Sequence, residues 1–420
     1  MQPQPLPDEA ALSALARRWE PALFAARTEA PFDPGLTPCL GTPAGRRCAP
    51  GAFVLGAWQT GTKHLAALLR ASHPEALVPL GNGACWGQWK NDEGGRRWLE
   101  RAVPASLDPS AQLAAALHCH ATLQFYPDSA HRFHKWWEES YWPCKKRCTD
   151  VPACEKTYYE KEMWTCKAAA LRAHDAAVDL PTVPAGGAFN FTTPWLLRSF
   201  YSSRPPRLIA LLRSPIDRLV HAYYGHPHYG KKYGVGARRF GEYVTEQVAG
   251  WRACERRHGL RRCAIHFEQL GPEPAAVFFH ADQIIRGMYA PFVEDWLRAM
   301  AGALLCLRTE DLLEPATRRS ALRRAWRHLG LGVASVDATG LATAEAKLPA
   351  TRGELGRRRE PTEAREPLLA ATRAELCALY APLNRQLRDL LAADRTSCEG
   401  VGCDGFLWSE DCTAAEGVTG

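Results

Sequence analysis

No stretch of the chain approaches eighteen consecutive apolar residues, so it holds no candidate for a membrane-spanning helix. Residues 1–30 also lack the apolar core of a secretory signal. Asp8, Glu9, Arg17, Arg18 and Glu20 stand there among alanines, the pattern of an amphipathic helix. A strong charge of one sign is missing as well. The net charge of +7 over 420 residues suits anionic ligands such as nucleotides or acidic glycans, but is no nucleic-acid signature. No internal repeat divides the chain. What remains, 46% apolar and 23% charged residues, describes a globular protein with a sizeable core.

Cysteine is plentiful, at fifteen residues, and the odd count leaves at least one thiol outside intramolecular bridges. Cys144, Cys148, Cys154 and Cys166 crowd one polar stretch, Cys254 and Cys263 lie nine apart, and Cys398, Cys403 and Cys412 bunch near the end. The spacing of the first four matches no common zinc frame, so disulfides fit better than zinc. With the sequon Asn190-Phe191-Thr192, this density points to an oxidising secretory compartment. A lumenal protein would then need a signal or anchor that this chain does not carry; a cytosolic protein would need none.

The chain is organised around Ala52 to Leu69. Phe53, Val54 and Leu55 read as a buried strand, Gly56 and Gly61 tighten a turn, and Leu65, Leu68 and Leu69 have helical spacing. A strand–turn–helix of this kind aims backbone N–H groups and a helix dipole at one point, where an anion fits. The glycine spacing matches a Walker A loop, but Thr62, Lys63 and His64 follow where lysine and then serine or threonine are needed, which disfavours an ATPase or kinase. A second buried strand, Arg207 to Arg213, runs straight into Ser214-Pro215-Ile216-Asp217-Arg218, with Pro215 placed for a helix's first turn. Arg213 thus stands at a strand's carboxyl end, where open α/β sheets bind ligands.

Elsewhere the pattern predicts a leading helix within residues 1–30, a Pro/Gly-rich linker from Pro31 to Gly51, and a short helix over Ala111 to His118. It further predicts a helix over Phe240 to Ala253, a third strand over Leu304 to Leu307, and a flexible loop over 332–365. The tract His131 to Trp142 is rich in aromatic and basic residues. It reads as disulfide-stapled surface structure, a sugar-binding wall or a stacking platform, with packing the favoured role. Together these elements predict one α/β domain with a central, mostly parallel sheet and helices on both faces.

The first loop resembles the 5′-phosphosulfate loop of sulfotransferases that use 3′-phosphoadenosine 5′-phosphosulfate (PAPS), roughly Gly-x-x-Lys-x-Gly-Thr-Thr. Arg213, Pro215 and Arg218 occupy their places in the family's 3′-phosphate motif, and His221 stands where serine is usual. The match runs in order over about residues 50–395 and is most similar to Golgi carbohydrate sulfotransferases, in particular the branch acting on N-acetylgalactosamine 4-sulfate at the 6-hydroxyl. The resemblance implies a P-loop-like three-layer sandwich of sulfotransferase type. It divides the chain into an N-terminal helix and linker (1–45), a catalytic domain (46–395) with a Cys-rich insertion near 130–180, and a Cys-containing tail (396–420). It also implies PAPS as co-substrate, no metal, a glycan acceptor that is itself sulfated in this branch, no nucleic-acid partner, and Golgi lumen or secretory-pathway residence, with any membrane attachment through an anchor outside this chain.

By that resemblance Gln59, Thr60, Gly61, Thr62, Lys63, Arg213 and His221 line the nucleotide. Lys347 and Arg352 lie where the family closes over it, although a solvated charge run reads equally well there. The family's loop lysine falls at Gln59. If the helix begins by Gln59, that residue and Lys63 share one face, and Lys63 reaches back to do the missing lysine's work. The family's base glutamate is not kept at its place either, which leaves His134, Glu138 or Glu139 as candidates. The alternative is a non-catalytic relative that binds nucleotide or sulfated glycan.

Overall fold

A computed structural model describes residues 9–27, 37–42, 45–80, 99–100, 102–104, 113–119, 123, 192–202, 205–225, 227–266, 283–348, 367–394 and 402–413. Its strands are β1 (Cys39–Thr42), β2 (Gly45–Cys48), β3 (Ala52–Gly56), β4 (Leu77–Pro79), β5 (Leu113–Cys119), β6 (Arg207–Leu212) and β7 (Leu304–Arg308). The helices are α1 (Glu9–Trp19), α2 (Pro21–Ala25), α3 (Thr62–Ser72), α4 (Thr193–Tyr201), α5 (Pro215–Gly225), α6 (Pro227–Lys232) and α7 (Ala237–His258). They continue as α8 (Leu260–His266), α9 (Ala290–Ala299), α10 (Thr309–Leu313), α11 (Pro315–Leu329), α12 (Ala338–Glu345) and α13 (Ala370–Asp394).

Five strands form one parallel sheet in the order β4-β5-β3-β6-β7. Their near-continuous apolar runs follow from burial on both faces. Side chains alternate strictly. Phe53, Leu55, Leu208, Ala210, Leu212, Leu304 and Cys306 face one core, which holds Trp195 and Phe200 of α4, Phe292 and Trp296 of α9, and Tyr243 of α7. Val54, Ile209, Leu211, Leu305 and Leu307 face the other, built on Leu65, Leu68 and Leu69 of α3 and Leu322 and Trp326 of α11. The chain is therefore α/β, with a parallel central sheet flanked by helices. The first core also takes in Leu12 and Ala16 of α1, and Phe406 and Trp408 near the carboxyl end.

Three expectations are corrected. Residues Ala111 to His118 do not supply a helix: β5 occupies Leu113–Cys119, between β4 and β3. Alanine favours helix in isolation, but Ala114, Ala115 and Ala116 are buried in the sheet, where tertiary packing overrides propensity. Within the supposed linker, β1 and β2 form an antiparallel hairpin closed by the Cys39–Cys48 disulfide. The supposed loop over 332–365 contains α12, capped by Asp337, whose carboxylate accepts the Gly340 N–H at 2.9 Å.

The topology locates the site. From β3 the chain passes outward to β4 and β5 on one side, then returns to β6 and β7 on the other. Strand order reverses between β3 and β6, and in open parallel sheets the crevice beyond the carboxyl ends of such a pair accepts ligands. The Ala57–Gly61 loop and the Arg213-Ser214 turn sit at those two ends.

Candidate functional site

Gly56 closes β3 under close constraint: a Cβ there would lie 2.6 Å from both Thr60 Oγ1 and Thr62 Cγ2. The loop then turns through two left-handed residues, Gln59 (φ 74°) and Gly61 (φ 84°). Glycine adopts that conformation freely, whereas glutamine sacrifices about 1 kcal/mol. Internal bonds hold the turn, since the Thr60 N–H and hydroxyl both donate to the Ala57 carbonyl, at 3.3 and 2.8 Å. Gly61 is the N-cap of α3, and no side chain caps that helix.

Three buried side chains fasten the loop from beneath, each through a carbonyl. Arg218 Nη1 donates to the Trp58 carbonyl at 3.3 Å, Arg213 Nη1 to the Gln59 carbonyl at 3.3 Å, and Thr309 Oγ1 to the Thr60 carbonyl at 2.6 Å. Thr309 Oγ1 also lies 3.0 Å from the Leu212 carbonyl, which ties the ends of β3, β6 and β7 together. In a planar trans peptide the N–H opposes the C=O. Holding the Trp58 and Thr60 carbonyls inward therefore turns the Gln59 and Gly61 N–H groups toward the opposite side, beside the open N-terminus of α3, while the Thr60 N–H stays on the Ala57 carbonyl. Backbone donors and a helix dipole converging in this way favour an anion.

The electrostatics agree. Arg213 is 2% exposed and Arg218 is fully buried, placing two cations under the loop. Arg218 also donates to the side-chain oxygen of Gln283, at 3.1 Å, and to the Gln283 carbonyl, so none of these three acceptors is a carboxylate. By contrast the N-terminus of α5 is already filled from within: the Ser214 N–H donates to Glu310 Oε1 at 2.8 Å, and the Ser214 hydroxyl donates to Asp411. An added anion fits the α3 end and not the α5 end. The Tyr289 hydroxyl donates to the Arg213 carbonyl at 2.8 Å, and burial holds that phenol in its neutral form.

Of the residues expected at the site, the structure gathers Gln59, Thr60, Gly61, Thr62 and Lys63 with Arg213 and His221. Buried His221 follows Arg218 by three residues on α5 and precedes Gly225 by four, on the helix face that meets the loop. At Gly225 a Cβ would lie 3.1 Å from Gln59 Nε2. The idea that Gln59 and Lys63 share a helix face is overturned, because α3 begins at Thr62 and Gln59 has a left-handed backbone. Lys63 is exposed in the first turn of α3. Beside it, burial and secondly the Lys63 ammonium hold the His64 imidazole below its ordinary pKa. Thr60 shapes the loop from within: its N–H and hydroxyl are both spent on the Ala57 carbonyl, and its own carbonyl accepts from Thr309. Arg213 braces the loop as well as standing at the strand end.

His134, Glu138, Glu139 and Arg352 lie outside the described residues, as do the cysteine cluster from Cys144 to Cys166 and Asn190. Lys347 is exposed just beyond α12. Sequence reasoning missed Thr309 and Gln283. Thr309 directly follows the apolar run of β7, so the strand-end argument that singled out Arg213 also reaches it. Gln283 carries no such signal. Among the described residues no group of His, Cys, Asp or Glu is arranged to hold a metal ion, and no helix is long and apolar enough to cross a membrane. Disulfides join Cys39–Cys48, Cys254–Cys263 and Cys377–Cys412, as is compatible with a secreted or lumenal protein. Comparison with models of known protein families and with curated proteins found no match.

Proposed function

We propose that this chain is a PAPS-dependent carbohydrate O-sulfotransferase of the sulfotransferase fold type, moving a sulfuryl group to a glycan hydroxyl. One observation carries the reading. The β3–α3 loop and the Arg213-bearing end of β6 face each other across the switch point of a parallel sheet, with the loop's carbonyls tied inward. The two loops read as phosphate motifs, about 150 residues apart in the chain, lie at the carboxyl ends of neighbouring strands, which supports the reading.

The residues fit a 5′-phosphosulfate group. Gly56 leaves room for a tight turn, the Gly61 N-cap leaves the first N–H groups of α3 without a side-chain cap, and Lys63 adds a cation in the same turn. When bound, PAPS supplies an activated sulfuryl group on a phosphate leaving group. The chain's own task is then positioning and charge neutralisation. The Gln59 and Gly61 N–H groups hold the anion, Lys63 offsets negative charge beside it, and Arg213 and Arg218 add positive potential from below while keeping the loop in shape. His221 lies on the α5 face shared with Arg218 and Gly225. Proton acceptance from the acceptor hydroxyl falls to His134, Glu138 or Glu139. The disulfides support a Golgi-lumenal or secretory setting for this chemistry.

A second reading, a non-catalytic relative that binds nucleotide or sulfated glycan, is favoured by Gln59, which replaces the family lysine and lies against Gly225. Titration with PAP, the desulfated product, tests the site shared by both readings. Micromolar binding to the wild type that is lost in Arg213→Ala is expected, and failure of the oxidised wild type to bind would reject both. Transfer from isotope-labelled PAPS to a glycan panel separates them. Turnover abolished by Lys63→Ala with PAP binding kept supports the enzyme; full turnover in that variant removes Lys63 from the mechanism.

A further inference from the structure

Helix α11 carries an unusual charge pattern. From Ala316 to Val336 the chain has five arginines and one histidine with no Asp or Glu. One face of the helix is spent on the core through Ala321, Leu322, Ala325, Trp326 and Leu329. Arg318 is used locally, donating to the Leu312 and Leu313 carbonyls at 2.7 and 2.8 Å. Arg319, Arg323 and Arg327 are all exposed and recur every four residues, forming a row about 12 Å long by the helical rise. Among the described residues none of the three is in an ion pair. The contrast with α7 is direct, because there Arg238 and Arg239 both pair with Glu242, at 3.4 and 2.7 Å.

Like charges at this spacing weaken a helix, so α11 retains a pattern that its own stability opposes and that a bound polyanion would relieve. The direction of the row adds to the argument. The last turn of α11 lies at the amino ends of β6 and β7, where the Leu329 carbonyl accepts from Arg207 and His328 Nε2 lies 3.0 Å from the Ala303 carbonyl. Its first turn follows β7 and α10, at the carboxyl ends of the strands where the candidate site lies. The row therefore starts on the site's side of the sheet and runs away from it, on a helix packed over β6 and β7.

We propose that Arg319, Arg323 and Arg327 form a docking track for an extended sulfated or otherwise anionic glycan chain, one end of which reaches the crevice between β3 and β6. This deepens the functional reading above and rests on it for the glycan class. A chain acceptor, longer than a single sugar unit, is the substrate such a track selects.

The test compares wild type, Arg319→Gln/Arg323→Gln/Arg327→Gln and a charge-matched control, Arg238→Gln/Arg239→Gln/Arg252→Gln, for binding to chondroitin sulfate chains of defined length across a salt series. PAP titration is run on all three. The track variant is expected to bind the chains at least about tenfold more weakly, with the slope of log affinity against log salt reduced by about two to three, while the control and all PAP affinities stay at wild-type values. Equal glycan affinity in the track variant and wild type overturns the proposal. So does tighter track-dependent binding of duplex DNA than of glycan at the same salt. Track-dependent glycan binding by a wild type that fails to bind PAP leaves the docking surface standing and rejects the sulfotransferase reading.

Discussion

Arg218 offers the sharpest test of how the loop is held. Replacing it with methionine keeps an unbranched apolar stem but removes donors from the Trp58 carbonyl, the Gln283 side chain and the Gln283 carbonyl. A hydrogen bond from a charged donor is worth about 1.5–3 kcal/mol, and three buried acceptors lose one each. Against this, methionine avoids the several kcal/mol needed to strip water from a guanidinium. The net expectation is a destabilisation of about 2–4 kcal/mol, read as a lower denaturant midpoint at unchanged slope. The Trp58 carbonyl belongs to the loop, so the loss should be locally visible. Amide exchange at Thr60, whose N–H is held on the Ala57 carbonyl, should speed up by more than the global destabilisation accounts for. Arg218→Lys should recover part of the stability but not the full loop protection, because one ammonium cannot span the same acceptors. If the methionine variant keeps wild-type exchange at the Thr60 amide, the carbonyl clamp does not shape the loop, and the account of how the N–H groups are aimed fails with it.

Other outcomes follow from the same structure. Gly56→Ala should reorganise the loop and abolish PAP binding while leaving far-UV circular dichroism unchanged, because its Cβ meets Thr60 and Thr62 at 2.6 Å. Burial, ahead of the Lys63 charge, lowers the pKa of His64, and burial likewise lowers that of His328. The unfolded chain then takes up protons first as pH falls through about 6.5, so stability should be full above that pH and decline below it. The fall in melting temperature between neutral and mildly acidic pH should be smaller in His64→Gln/His328→Gln. Cys377–Cys412 closes a sequence separation of 35 residues, for which chain entropy gives roughly 4 kcal/mol, so the double serine variant should unfold at lower urea. Asp295→Ala should destabilise by about 3–5 kcal/mol in chemical denaturation, because the Arg261 partner 2.5 Å away and the Thr192 hydroxyl 3.0 Å away lose a buried acceptor.

How far the fold can be read from the chain depended on whether the local signal and the tertiary answer agreed. β3, β6 and β7 are apolar at nearly every position because both faces are covered, and that pattern is local. α3 and α5 follow for the same reason, through the Leu65, Leu68 and Leu69 spacing and through Pro215 in a first turn. β5 was hidden because three successive alanines satisfy helix propensity, and only their place between β4 and β3 makes them a strand. The β1–β2 hairpin was hidden by its glycines and prolines, whose turn signal does not reveal that Cys39 will meet Cys48.

The candidate site divides along the same line. Strand-end positions are legible, so the loop and Arg213 stand at the ends of β3 and β6 as expected; the direction in which a side chain is used is not, because it depends on partners far away in sequence. Arg213 is committed to the carbonyl of a residue 154 positions earlier, and Arg218 to one 160 positions earlier. Gln59 shows the limit most clearly. Its place in the motif suggested a helical neighbour of Lys63, yet its backbone is left-handed, inside a turn that Thr60 closes onto Ala57 and with its own carbonyl held by Arg213. A lysine at that position would inherit the same backbone and would point wherever the turn sends it. Gln59→Lys therefore tests the loop's shape more than its chemistry. If the backbone governs, the substitution leaves PAP affinity within about twofold of wild type and does not restore transfer to Lys63→Ala. Restored transfer would mean that the side chain, and not the turn, decides what position 59 does.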